Sequence, residues 1–171
     1  MDWVPVDARP RARFFVAAAA DPEIRGYFHP HPLTPEHARR LAEEAPARRD
    51  RYFLARWRGS VVGYSMLRGW DEGFAVPSFG CCVHPELRDA GIGKALIAAA
   101  IAEARRLGAA RLRLTVHRAN SRAVALYERF GFELRPKNAE ELVGLLALER
   151  ASRAAAPAGL DRQRCDGWSE R

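Results

Sequence analysis

A chain of 171 residues with 48% hydrophobic and 29% charged side chains has the composition of one globular domain, and no apolar run reaches the roughly 18 residues of a membrane-spanning helix. The formal charge is +7, but only two of the 28 basic residues are lysine, so an arginine-rich surface accounts for the excess as well as an anionic small ligand does, and no nucleic-acid-reading motif accompanies it. The three cysteines, Cys81, Cys82 and Cys165, have neither disulfide nor zinc-site spacing, which points to a reducing, cytoplasmic setting and to no metal.

Arg9, Arg11 and Arg13 ahead of F-F-V-A-A-A-A imitate a secretory signal, but the apolar core is short and Asp2 and Asp7 fall where basic residues belong. The stretch reads instead as a helix over Arg9 to Ala20. A second helix starts with Thr34 as N-cap and Pro35 at its first position. Between them the prolines of G-Y-F-H-P-H-P-L forbid continuous helix. Tyr52 to Arg56 and Val61 to Leu67 are β-prone runs joined by W-R-G-S, a hairpin signal, and Ser78 to Val83 is a third strand ending at His84-Pro85. From Gly93 the apolar residues recur at helical spacing until Gly108 ends the helix. Arg111 to Val116 alternates as a half-buried strand, Asn120-Ser121 opens a short helix that stops at Gly131, and Leu142 to Leu148 is a last strand. The expected domain is residues 1–150, with 151–171 read as a tail without periodicity.

The turn between the third strand and the longest helix, V-H-P-E-L-R-D-A-G-I-G-K-A-L, presents unpaired amides and the positive end of a helix dipole, which suit phosphate; a plain tight turn is the alternative. It is not a P-loop, because Arg88 and Ala95 stand at required positions, nor a dinucleotide fingerprint, whose third glycine would be Leu96. Together with L-R-L-T-V-H-R-A-N-S-R-A-V-A-L-Y-E-R-F-G-F-E downstream, it resembles the GCN5-related N-acetyltransferase (GNAT) family over Ser78 to Glu133. The resemblance implies an α/β (α+β) fold with a mixed, mostly antiparallel sheet splayed in the middle, and acetyl-CoA as acyl donor. Arg88, Asp89, Ala90, Gly91, Ile92, Gly93 and Lys94 would line the pyrophosphate turn. The backbone of Cys82 and Val83, at a bulge, would pair with pantetheine, and one N–H, that of Val83, would polarise the thioester carbonyl. Asn120, Ala123 and Tyr127 would complete the cofactor site, with the Tyr127 phenol donating to the departing thiolate. Outside that context Asn120 reads as a helix cap and Tyr127 as a core residue.

The attacking amine must lose a proton, and the sequence leaves several candidates: His29, His31, Asp71, Glu72 and His117, with Glu72 as the catalytic carboxylate. The same residues with Trp70 form the expected substrate-binding set, because an aromatic beside an acid suits a cationic amine. These stretches resemble acetyltransferases that act on amino sugars. Thr115 stands where relatives that acetylate protein N-termini carry Glu, which counts against that subgroup. The expected activity is direct transfer, without an acyl-cysteine, to a primary amine of a small molecule by a monomer or homodimer. The alternative is an acyl-CoA-sensing module of the same fold.

Overall fold

The computed structural model describes residues 8–148. In chain order these form α1 (Ala8–Ala20), α2 (Pro22–Tyr27), α3 (Pro35–Glu44), β1 (Arg51–Trp57), β2 (Ser60–Arg68), β3 (Ser78–Val83), α4 (Ile92–Arg106), β4 (Arg111–His117), α5 (Ser121–Arg129), β5 (Glu133–Pro136) and β6 (Glu141–Ala147), with two short 3-10 turns at Ala45–Ala47 and Pro85–Leu87. The tail expected from Ala151 lies outside the described residues.

The six strands make one sheet in the order β1-β2-β3-β4-β6-β5, antiparallel throughout except where β3 runs parallel to β4. One face packs under α4 and α5, where Phe53, Leu67, Phe79, Ile97, Ile101, Leu112, Leu114 and Tyr127 make an apolar core. The other face carries α1, α2 and α3 over β1 and β2, joined through Phe15, Ile24, Leu41, Tyr52, Tyr64, Met66 and Cys82. Alternation along each strand fixes this division, because neighbouring side chains point to opposite faces. The second core also holds the Arg11 guanidinium, 0% exposed, with no hydrogen-bond partner among the described residues on any of its three nitrogens.

Two elements escape the sequence reading. Helix α2 begins where Asp21 caps it, its Oδ1 accepting from Ile24 N–H at 2.8 Å, with Pro22 at the first helical turn. That Asp-Pro-Glu start signal is present in the sequence, but the helix is only six residues long and precedes a proline-rich stretch. Strand β5 has four largely exposed residues at the sheet edge, too short for an alternation to register. The expected bulge at Cys82 and Val83 is also corrected: β2 and β3 pair in continuous register from Gly63 with Val83 to Arg68 with Ser78, and the irregularity lies in the β1-β2 ladder, where Ala55 pairs with Gly63 and Arg56 with Val61, so that Val62 of β2 is the extra residue.

Candidate active site

Strands β3 and β4 pair at only two positions, Ser78 with Arg113 and Phe79 with Leu114, and then part. The ladders on either side decide what they display to each other. His84 N–H donates to Val62 C=O at 2.9 Å, so the bonded pairs of the β2-β3 ladder include Tyr64 with Cys82, and the backbone groups of Cys81 and Val83 turn away toward β4. On the facing strand Arg118 N–H donates to Glu140 C=O at 2.8 Å and Arg113 N–H to Pro77 C=O at 2.9 Å, so Thr115 and His117 face β3; the Phe79–Leu114 pair takes up Thr115 N–H, which leaves Thr115 C=O and His117 N–H toward the opening. The wedge is thus edged by unspent backbone donors and acceptors. They belong to Cys81 and Val83, whereas the backbone of Cys82 faces β2 and only its side chain reaches the cleft.

The cleft between the parted strands has a volume of about 500 Å³. At its wide end the turn after β3 enters α4 through Gly91, which sits at φ +80, a left-handed conformation that favours glycine, and supplies no side-chain cap. The first amides of α4 therefore point into solvent at the positive end of a 15-residue helix. Gly93, Lys94, Asp89 and Arg88 line the cleft, while Ala90 and Ile92 face a separate apolar groove beside Trp57 and Val62. Arg88 is not free for an anion. It pairs with Asp21 and, at 3.0 Å, with Glu23, and Arg122 bridges Glu23 and Asp89 at 3.2 Å each. Burial opposes ionisation of Asp21, but the Ile24 N–H and the Arg88 guanidinium outweigh it and hold the carboxyl below its usual range.

Tyr127 stands over the opposite wall, 7% exposed, edge-on to Phe79 and against Phe132. Its hydroxyl lies close enough to the Cys81 thiol for the two to influence each other's ionisation. Burial, reinforced by Cys81, pushes its pKa well above the ordinary phenol, so the group is a proton donor at any working pH. Burial likewise raises the thiol of Cys81 to about 11, against the pull of Tyr127, and raises that of Cys82 further, so both remain protonated. Asn120 caps α5 by accepting from Ala123 N–H at 3.1 Å, and both residues also line the cleft.

The α2 face of the wedge is built from Tyr27 and Phe28. Tyr27 lies against the His117 ring at 5.2 Å, and a Cβ on Gly80 would meet Phe28 at 3.5 Å. None of the six expected substrate-binding residues lines the cleft itself. His117 comes closest through Tyr27, but its Nδ1 accepts from Ala119 N–H at 3.1 Å, so its free lone pair is spent. His29 bonds the Arg25 carbonyl. His31 lies behind Phe28, its Nδ1 within 3.0 Å of Pro32 C=O and its Nε2 accepting from Tyr64 Oη at 2.9 Å, and its pKa is lowered to about 4, chiefly by burial. Trp70 is 9% exposed in the α4-side core. Asp71 accepts from Arg49 and Asp50 N–H, while Asp50 accepts from Gly69, Trp70 and Asp71 N–H, a reciprocal clasp between the start of β1 and the end of β2. Glu72 pairs with Arg68 at 3.0 Å. The aromatic-acid motif thus makes a clasp between strand ends and does not line the cleft. Sequence reasoning missed Glu23, Tyr27, Phe28 and Arg122, all cleft-lining; the helix start at Asp21 signalled the first three, and nothing local marked Arg122 in α5.

The comparisons agree with this geometry. A family model described as the acetyltransferase (GNAT) family matches residues 17–132, more than half of the chain. No curated protein matches the chain. Among solved structures, a GNAT-family acetyltransferase from Streptococcus pneumoniae is similar at 18% identity and TM-score 0.73, covering 86% of this chain and 97% of that one. Ribosomal-protein-alanine N-acetyltransferase from Brucella melitensis is similar at 19% identity and TM-score 0.70, covering 86% and 100%. The acetyltransferase yncA from Salmonella typhimurium, solved with its cofactor acetyl-CoA, is 19% identical at TM-score 0.68, covering 93% and 99%. At these identities the likeness concerns the fold. The parted strands, the uncapped helix start and the matching family model together place the chain in the GNAT acetyltransferase family, whose fold binds acetyl-CoA.

Proposed function

We propose that this protein transfers the acetyl group of acetyl-CoA to the primary amine of a small molecule, directly and within a ternary complex. The observation that carries the reading is the wedge itself. An arm containing amides can extend it as a strand between Cys81, Val83 and Thr115, with its pyrophosphate at the start of α4. Bound there, acetyl-CoA supplies an activated acyl group whose sulfur end lies toward Tyr127. The Val83 or Cys81 N–H can then polarise the thioester carbonyl, and the Tyr127 hydroxyl, held protonated, donates to the sulfur as it leaves.

Two features favour direct transfer. Both cysteine thiols are held protonated, so neither is a ready nucleophile. The α2 face opens between Tyr27 and Thr115, which admits an acceptor opposite Tyr127. Among the described cleft-lining residues the only carboxylates, Glu23 and Asp89, are bound to arginines. The amine therefore loses its proton to water at this mouth, and the catalytic carboxylate expected at Glu72 is not needed. The test is release of free thiol from acetyl-CoA across a panel of amines, with the acetylated product identified by mass. Binding of acetyl-CoA with no amine able to accelerate thiol release would replace this reading with that of an acyl-CoA sensor.

A further inference from the structure

Beside the acceptor side of the wedge lies a charge that no carboxylate among the described residues answers. Five described arginines are half-buried: Arg48, Arg51, Arg68, Arg88 and Arg113. The first four each have a carboxylate within 4.0 Å, supplied by Glu44 and Asp71, Glu103, Glu72, and Asp21 with Glu23. Arg113 has none among the described residues, and its guanidinium makes one long contact, 3.4 Å to Ser78 Oγ. A cation withdrawn from water and left unpaired has lost hydration without gaining a partner, which a fold ordinarily avoids.

Its position gives the charge a purpose. The strand register sets Arg68, Ser78, Arg113 and Leu145 in one row across β2, β3, β4 and β6. This row lies on the α2 face, because Gly80, two residues beyond Ser78, looks toward Phe28, and His117, four beyond Arg113, lies against Tyr27. Arg113 is the last β4 residue but one before the strands part, and Thr115, about 6.6 Å further along the strand, lines the cleft on the same side. Neither Arg113 nor Ser78 lines the cleft itself, but a guanidinium rooted two residues before Thr115 borders its floor, within the length of one short molecule. The row carries one net free positive charge, because Arg68 is neutralised by Glu72. Leu145, 40% exposed, leaves the floor open beyond it.

We infer that Arg113 reads the acceptor, and that the acceptor is an amine bearing a carboxylate a few bonds from its nitrogen, in the manner of an amino acid. A single planar fork matches a monoanionic carboxylate through two parallel hydrogen bonds, and Ser78 Oγ stands beside it as a further polar partner. A phosphate dianion would call for a second free cation, which Arg68 is not. The inference rests on the acetyltransferase reading, and the two can fail separately.

The test follows thiol release from acetyl-CoA with each common α-amino acid, its carboxamide and its decarboxylated amine, for the wild type, Arg113→Gln, Arg113→Lys and the control Arg105→Gln, whose side chain is exposed in the last turn of α4. The best amino acid should exceed its carboxamide by about 10- to 100-fold in kcat/KM in the wild type, the span of one charged hydrogen-bonded contact. Arg113→Gln should reduce that ratio to within about twofold through KM for the acceptor, Arg113→Lys should restore part of it, and Arg105→Gln should keep it. Calorimetric titration of the same amino acid into the coenzyme A complex provides a readout without turnover, with binding in the wild type and loss in Arg113→Gln. If Arg113-dependent binding appears but no amine accelerates thiol release, the carboxylate site stands and acetyl transfer falls. If carboxamides perform as well as amino acids, if Arg113→Gln weakens both alike, or if no carboxylate-bearing amine binds, the inference is overturned.

Discussion

The two faces of the wedge between β3 and β4 are made of different material. On the α4-α5 face the packed cluster is apolar, and the titratable side chains buried with it among the described residues are Tyr127, the Cys81 thiol beside it, and Glu103, which is paired with Arg51 and Arg106. On the α1-α3 face the core encloses Arg11, His31, Tyr52 and Tyr64, and an unpaired Arg113 lies on the floor beside it. The difference follows from what each face meets. A donor shared by a whole family can be gripped by backbone groups and one hydroxyl, which need only a dry, rigid wall behind them. An acceptor particular to one protein has to be told from other amines by side-chain charge, and charge near a core costs stability.

The largest expected effect tests the dry wall. Tyr127→Phe should lower kcat about a hundredfold, near the lower end for general acid catalysis and equivalent to about 2.7 kcal/mol, while acetyl-CoA affinity measured by calorimetry stays within about twofold. Full turnover in a variant whose chemical step limits the rate would make Tyr127 a packing residue and remove the contrast between the faces.

Next in size is the polar face. Arg11→Met replaces a wholly buried, unpartnered guanidinium by an apolar chain of similar length and should raise unfolding stability by about 2 kcal/mol, read from denaturant midpoints at unchanged m. A fall in stability would mean that the charge is satisfied, and the two faces would differ less than described. His31 gives a smaller, pH-dependent version of the same cost. Its native pKa is about 4, against 6.5 unfolded. Above pH 6.5 the ring is neutral in both states. As pH falls below that value the unfolded chain gains a proton that the native protein refuses, so stability declines until about pH 4 and the loss then levels off. His31→Gln should remove roughly 1.5 kcal/mol of that decline after allowance for solvent screening. Parallel wild-type and variant curves between pH 4 and 6.5 would dismiss the buried neutral imidazole.

The smallest effect belongs to the turn. Gly91→Val puts a β-branched residue at φ +80, where open space surrounds the new Cβ, so the cost is backbone strain rather than collision. Strain of about 1–2 kcal/mol at a phosphate-binding turn should raise KM for acetyl-CoA about tenfold with little change in kcat. A drop in kcat with KM unchanged would place the turn's importance in chemistry instead of binding.

The same contrast explains what could be read in advance. The turn, α4, β4 and α5 are contiguous, and each carries local signals: Gly91 before the helix and Gly93 in its first turn, Gly108 and Gly131 after helices, the R-L-R-L-T-V alternation, and Asn120 as a cap. Ser78–Val83 was bounded to the residue, because His84-Pro85 ends it. The acceptor side is assembled from α2, the end of β3 and the middle of β4, which no local pattern joins. Trp70, Asp71 and Glu72 looked like a recognition motif because aromatic and acidic neighbours are equally what a strand-end clasp needs, and only the Asp50 side chain, twenty residues away, decides between the two. Arg113 looked like the polar half of an alternating strand. Its significance lies in lacking a carboxylate, which depends on where every other acid has gone.

The brief contact between β3 and β4 gives the sheet a seam. Two residue pairs hold it, and above them Cys81, Val83 and Thr115 keep main-chain groups that in any closed sheet would be tied to a neighbour. In the proposed complex a thioester donor whose arm contains amides would fill this seam as a missing strand would, and the protein would recognise its donor as a length of backbone. In amide exchange, Cys81 and Val83 should then behave as edge positions in the middle of a sheet, opening readily while Tyr64 and Cys82 beside them stay protected, and should slow together when the donor closes the seam.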